Sequence, residues 1–439
     1  MHNLAIALHK QGNNITGSDD EIFDPARSNL KKYGLLPTEE GWDVDRIKPE
    51  IDIIILGMHA RSDNPEMKRA KELKIKIYSF PEFMFEQTKN KKRIVIGGSH
   101  GKTTTTAMIM HVLNQQGITH DYLVGSSLPG YETMVDFSDD SEIAVFEGDE
   151  YLTSPLDPRP KFHLYYPDIA LVTGVAWDHM NVFPTWEGYK DQFRIFAELV
   201  EEGGSFIYFD EDLVLKEIAG NLRADIEGVP YNIITAVIRD GQTILQENDE
   251  NTPVPVFGKH NLQNMAGAWE VCKRLDIRKN DFILAMQTFS GAGKRLEEIF
   301  SNEETIIYRD FAHAPSKVRA TVEAVKEQYS AKPLYACFEL HTFSSLNKKF
   351  LPQYSGTLEK ADEAVVFFNP EVVEHKKLPK ISEEDVSAAF AKKGLKVFSS
   401  SSELQQWFDE TKSKPGILLM MSSGNFDGID LNTLAKETL

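Results

Sequence analysis

The stretch Arg93-Ile94-Val95-Ile96 runs directly into Gly97-Gly98-Ser99-His100-Gly101-Lys102-Thr103-Thr104-Thr105-Thr106. An apolar strand, a glycine-rich turn and the opening of a helix in that order call for a parallel α/β sheet with an anion at its edge. Backbone N–H groups of such a turn converge on phosphate oxygens, Lys102 can neutralise the terminal phosphates, and the Thr103 hydroxyl can join a Mg²⁺ shell. The pattern predicts ATP as a ligand. The full G-x-x-x-x-G-K-[ST] spacing is not met, because Ile96 stands where the first glycine belongs. A shortened loop excludes the commonest phosphate-loop proteins and points to a narrower group.

At 439 residues the chain is too long for one core, so two to four domains are expected. A net charge of -19 makes a general polyanion-binding surface improbable, although a local basic cleft can still hold a phosphorylated small molecule. Nucleic acid is therefore not expected as a partner. Cys272 and Cys337, one in a predicted helix and one in a predicted strand, suggest buried thiols rather than a disulfide framework or zinc site. No apolar run approaches the roughly 18 residues that span a bilayer. A cytoplasmic enzyme without membrane insertion is the expectation.

Short β-rich runs alternate with helical stretches throughout, which argues for parallel sheets with helices on both faces. The runs are Ile51–Leu56 and Ile75–Tyr78 in the first segment, Ile143–Phe146 and Ile169–Val172 in the second, and Thr305–Tyr308, Leu334–Phe338, Ala364–Phe368 and Ile417–Met421 in the third. A helix from Lys102 to about Gln116 is closed by Gly117. The basic cluster Lys89–Arg93 reads as a solvated inter-domain linker, and Gly291-Ala292-Gly293 as a hinge. The expected domains are residues 1–90, 91–293 and 294–439.

In doubly wound sheets ligands collect beyond the carboxyl ends of the strands. Two segments qualify beside the loop: Glu147-Gly148-Asp149-Glu150-Tyr151 and Trp177-Asp178-His179-Met180-Asn181. A carboxylate and an imidazole next to a triphosphate would complete a divalent metal site, with Thr103, Glu147 and His179 as the candidate ligands. Taken alone, an acidic cluster is more often solvated loop, and a lone histidine is more often structural.

Together these residues resemble the Mur ligase family. The family's abbreviated loop, G-[TS]-x-G-K-T-T, matches Gly98-Ser99-His100-Gly101-Lys102-Thr103-Thr104. Gly258-Lys259-His260-Asn261-Leu262-Gln263-Asn264 resembles its adenine-site segment, Lys294-Arg295-Leu296-Glu297 its hinge, and Asp310-Phe311-Ala312-His313-Ala314-Pro315 its C-domain segment. The resemblance implies a Rossmann-like N-domain that binds a UDP-sugar, a P-loop-type central ATPase domain and a Rossmann-like C-domain that binds the amine substrate. It also implies that His260, Asn261, Asn264, Arg295 and Asp310 contact ATP, that Mg²⁺ is required, and that Lys102, Glu147 and His179 act in catalysis. Ser18, Asp19, His59, Arg61 and Asn64 are the candidate uridine-nucleotide contacts. The implied reaction phosphorylates the carboxylate of UDP-N-acetylmuramate, after which an amine attacks the acyl phosphate to form an amide.

Within the family, Glu147–Tyr151 followed by Asp157-Pro158-Arg159-Pro160-Lys161-Phe162 resembles the branch that adds the tripeptide L-Ala-γ-D-Glu-meso-diaminopimelate in peptidoglycan recycling, as does Met421–Gly428. The alternatives are addition of L-alanine and, more remotely, a small-molecule kinase. Two departures stand out. Glu339-Leu340-His341-Thr342-Phe343-Ser344 lacks an arginine expected of that branch, and Met1–Ala5 already reads as the helix that should follow a first strand and glycine-rich turn. The N-domain is thus expected to lack that strand and turn.

Overall fold

The computed structural model describes residues 1–177, 182–247, 250–293 and 295–431. His179, with its neighbours Asp178, Met180 and Asn181, lies outside the described residues, as does Lys294. Compactness divides the described chain into two units, Met1–Ile234 with Gln263–Met286, and Thr235–Leu262 with Gln287–Leu439.

The first unit is built on a seven-stranded sheet in the order Glu227–Tyr231, Ser205–Phe209, Ile169–Val172, Lys92–Gly97, Ile143–Glu147, Asp121–Leu123 and Val135–Asp136. All pairings are parallel except the last. Ile94, Val95 and Ile96 are wholly buried, as a central strand covered on both faces must be. From Lys92–Gly97 the chain crosses to one side of the sheet and later returns on the other, between Ile143–Glu147 and Ile169–Val172. That reversal opens a crevice at the carboxyl end of Lys92–Gly97, where ligands of doubly wound sheets bind. The helix Lys102–Gln115 leaves from this point, as the sequence predicts.

The N-terminal segment contributes a second parallel sheet of two strands, Ile53–Leu56 and Lys76–Ser79, joined through the helix Pro65–Glu72. Its first helix, His2–Lys10, buries Leu4, Ala7 and Leu8 in the same core as Val95, Phe146 and Phe162.

The linker reading of Lys89–Arg93 is not borne out. Residues Lys92–Gly97 form the strand itself, and Arg93 is 3% exposed. Its guanidinium donates to the carbonyls of Thr88, Lys89, Lys91, Tyr165 and Tyr166 and to Glu201 Oε1. Lys91 bonds the wholly buried Asp121 at 2.7 Å. Charge composition misleads at Lys91 and Arg93, whose donors are taken by internal acceptors, whereas Lys89 and Lys92 remain exposed.

The second unit carries a six-stranded sheet in the order Glu297–Ser301, Thr305–Asp310, Gly416–Met421, Leu334–Glu339, Glu363–Phe367 and Lys396–Phe398. It is parallel apart from its first strand. A three-stranded antiparallel sheet, Ala236–Arg239, Gln242–Glu247 and Glu250–Val254, belongs to the same unit. It turns at Asp240-Gly241, where both residues take positive φ, the conformation a two-residue hairpin turn requires. Cys272 and Cys337 are buried free thiols, as expected. The α/β class with parallel sheets follows from the sequence pattern, and no described helix is long and apolar enough to cross a membrane.

Candidate nucleotide site

The loop turns sharply at two glycines. Gly98 and Gly101 take φ of +124° and +79°, a region that disfavours side chains. Space forbids them as well: a Cβ at Gly98 would lie 2.3 Å from Thr173 Oγ1, and one at Gly101 would lie 2.2 Å from Asn264 Oδ1. Thr173 Oγ1 ties the loop down by donating to the His100 carbonyl. Gly101 is the N-cap of Lys102–Gln115 and offers no side-chain cap, so the first helical N–H groups, including those of Lys102, Thr103 and Thr104, face the crevice with the positive end of the helix dipole.

Lys102 Nζ donates to Gly98 O at 2.6 Å and to Glu150 Oε2 at 2.7 Å. Burial opposes its charge, but Glu150, assisted by Glu147 and Asp149, outweighs that effect and holds the ammonium above the usual lysine range. Thr103 Oγ1 donates to Glu147 Oε1 at 2.9 Å, and the Gly125 amide donates to Glu147 Oε2 at 2.7 Å. Thr103 and Glu147 thus present neighbouring oxygens, the hard donors Mg²⁺ prefers. Among the described residues no group of three His, Cys, Asp or Glu could hold a metal. The uncapped helix start, the sterically closed glycines and this oxygen pair fit a magnesium nucleotide.

Ser99 is buried, with its Oγ 2.8 Å from Tyr189 OH. Asn264, only 5% exposed, lies against Gly101 in this unit, and Gln263 Nε2 donates to Thr173 O at 2.6 Å. The remaining nucleotide candidates belong to the second unit. His260 there is half-buried, and desolvation of its ring pushes the imidazole below the usual range against the pull of Asp310. Asn261 Nδ2 donates to Phe257 O. Asp310 is 7% exposed and accepts from the amides of Leu296 and Ala312 and from Thr321 Oγ1. The Arg295 guanidinium lies 4.9 Å from the Phe311 ring centre.

In the N-terminal segment, Ser18 Oγ donates to Glu66 Oε1 at 2.9 Å and accepts from Arg46. Asn64 caps the helix that carries Glu66, its side chain accepting from the Met67 amide. Asp19, His59 and Arg61 are exposed, and Arg61 Nε is 3.8 Å from Asp63. The structure therefore groups Ser18 with Asn64 through Glu66.

Two residues of the loop network were not singled out from sequence. Glu150 sat inside a noted acidic segment, and its burial against Lys102 was the missing information; Tyr189, 87 residues downstream of Lys102, gave no local signal.

In the second unit, two segments noted in the sequence meet at strand ends. The buried Glu339 carboxylate accepts from Ser422 Oγ and from the Phe426 amide, and its Oε1 is 3.4 Å from His341 Nδ1.

The Mur ligase middle domain family matches residues 96–272. The UDP-N-acetylmuramate–L-alanine ligase of Limosilactobacillus reuteri is 30% identical over 386 residues, 83% of this chain and 82% of that protein. The enzyme of the same name from Desulfitobacterium hafniense is 26% identical over 442 residues, 96% and 93% of the two chains. Among solved structures, the UDP-N-acetylmuramate–alanine ligase of Thermotoga maritima aligns with a TM-score of 0.71 at 20% identity, covering 99% and 95%. The murein peptide ligase of Psychrobacter arcticus aligns at 0.65 and 20% identity, covering 100% and 96%. Likeness that runs through sequence and fold alike over most of the chain, and includes the loop, makes this protein a member of the Mur ligase family, whose members are ATP-dependent amide ligases.

Proposed function

We propose that the chain joins an amine to the carboxylate of UDP-N-acetylmuramate, as part of peptidoglycan assembly, through an acyl phosphate formed with ATP. The observation that carries this reading is the Lys102, Thr103 and Glu147 arrangement at the sheet crevice, in a chain whose curated relatives are named for that acceptor. Lys102 would hold the terminal phosphates, and Thr103 and Glu147 would hold Mg²⁺, with His179 as a further ligand. The ion would neutralise charge developing on the transferred phosphoryl group. His260, Asn261, Asn264, Arg295 and Asp310 would place the nucleotide. Ser18, Asp19, His59, Arg61 and Asn64 would contact the uridine nucleotide from a domain of residues 1–90. Residues 91–293 and 294–439 would be the ATPase and amine domains. Consumption of ATP and a UDP-linked precursor fits a cytoplasmic enzyme.

For the amine we propose L-alanine, because the curated relatives that resemble the chain carry that activity in their names. A second reading, addition of the tripeptide, is favoured by the segment Glu147–Phe162, which resembles the tripeptide-adding branch. Phosphate release with UDP-N-acetylmuramate, comparing L-alanine with L-Ala-γ-D-Glu-meso-diaminopimelate, decides between them. Phosphate transfer to a small molecule without need for an amine would instead identify a kinase.

A further inference from the structure

Glu150 is fully buried, yet it takes no part in the metal or nucleotide contacts assigned above. Its Oε2 accepts from Lys102 Nζ, and its Oε1 accepts from Tyr189 OH at 3.3 Å. With its proton committed to Glu150, the Tyr189 oxygen accepts from Ser99 Oγ at 2.8 Å, and Ser99 Oγ in turn accepts from the Ala176 amide at 2.9 Å. The carboxylate thus ends a one-way hydrogen-bond chain that joins the loop, the helix Trp186–Glu198 and the segment after Ile169–Val172. Gly98 O holds the lysine from the opposite side.

Two physical consequences follow. A lysine with four rotatable stem bonds is ordinarily a mobile point charge, and here two of its three donors are held by the protein itself. The anchoring group is also anionic, so an incoming triphosphate meets a lysine whose charge is already compensated and a carboxylate that repels it. A neutral anchor would have fixed the lysine without that opposition.

We propose that Glu150 is a positioning residue for Lys102 that trades nucleotide affinity for placement: it weakens ATP binding and speeds phosphoryl transfer. The inference rests on the reading of the loop as an ATP site. Position and charge are separable by substitution. Glu150→Gln keeps the shape and removes the charge; Glu150→Asp keeps the charge and shortens the arm; Tyr189→Phe leaves the charge and releases one oxygen.

ATP binding is measured by calorimetry with Mg²⁺ and without acceptor, and turnover by phosphate release with acceptor and amine. Glu150→Gln is expected to bind ATP about tenfold more tightly while kcat falls about 10–100-fold. Glu150→Asp is expected to keep the wild-type Kd within about twofold yet lose kcat comparably, and Tyr189→Phe to lose kcat by about threefold or more at unchanged Kd. Weaker ATP binding by folded Glu150→Gln, or unchanged kcat in both Glu150→Asp and Tyr189→Phe, overturns the proposal. If Glu150→Gln does not fold, the latter two variants decide it. ATP binding by the wild type without amine-dependent phosphate release would count against the ligase reading alone, since the affinity difference would still test the counter-charge. Absence of ATP binding by the wild type would overturn both.

Discussion

Thr103 and Glu147 meet at 2.9 Å, hydroxyl to carboxylate, across the crevice between the first turn of one helix and the end of the neighbouring strand. Glu147 does not hold this pose alone, because its other oxygen takes the Gly125 amide at 2.7 Å. A Cβ on Gly125 would lie 2.8 Å from Glu147 Oε1. Gly125→Ala is therefore expected to displace the carboxylate without touching Thr103. The Mg²⁺ concentration that gives half-maximal turnover should rise about 10–100-fold, the usual effect of disturbing a ligand's support, while the melting temperature stays close to wild type. A magnesium titration together with a thermal melt checks both.

Replacing Lys102 affects folding as well as chemistry. Glu150 is fully buried and Lys102 is its ion-pair partner, so Lys102→Ala leaves a carboxylate in the interior without its counter-charge. Breaking a buried pair from one side costs about 3–5 kcal/mol. The double variant Lys102→Ala/Glu150→Gln removes the stranded charge and should recover much of that loss while remaining inactive. Denaturant midpoints of the two proteins test the difference; equal stabilities would contradict it.

Arg93 marks the limit of what local pattern could reveal. The strands flanking the loop, the helix after it and the parallel α/β class were all legible, because periodicity and glycine placement are short-range signals. Pairing of Lys102 with Glu150 and the role of Tyr189 were not, since these depend on which strand ends the topology brings together. For Arg93 the error was one of sign: a charge run read as solvent-facing contains a 3%-exposed arginine that donates to five backbone carbonyls. Arg93→Ala should destabilise the chain by at least about 1–3 kcal/mol, because it strands buried carbonyl oxygens, and Arg93→Lys should rescue little of it, because an ammonium offers three donors without the planar fork. Chemical denaturation checks both variants.

His163 supplies an acid sensitivity. It is 5% exposed, stacked on Phe162, with Nε2 2.7 Å from Gln192 O. Burial pushes its imidazole down to about 4 from an ordinary 6.5, although the Gln192 carbonyl opposes the shift. Between those values the unfolded chain binds the proton and the folded one does not, so stability falls as pH falls from 6.5 towards 4. The contribution amounts to about 3 kcal/mol over the window. In His163→Gln that part of the pH dependence should be missing, which urea melts at pH 7, 6 and 5 would reveal as a flatter profile than wild type.

Glu339 holds the loop after Gly416–Met421 through Ser422 Oγ and the Phe426 amide, and His341 stands beside the same carboxylate at 3.4 Å. This packing requires a glycine at 424: a Cβ there would lie 2.5 Å from His341 Nδ1 and 2.9 Å from Glu339 Oε2. Gly424→Ala must therefore move the imidazole, the loop or both. If residues 294–439 bind the amine, both Gly424→Ala and His341→Ala should raise KM for it about tenfold or more, with KM for ATP nearly unchanged. Such a split is the signature of lost binding to one substrate rather than lost transition-state stabilisation. His341 lies in the segment Glu339–Ser344, which lacks the arginine expected of the tripeptide-adding branch, so the comparison of the two amines is informative. A group that contacts a carboxylate remote from the reacting amine should matter for the tripeptide and little for L-alanine, whereas a group at the amino-acid backbone should matter for both. Steady-state kinetics of His341→Ala with each amine separates these cases, and equal KM values for wild type and variant with both amines would remove His341 from the amine site.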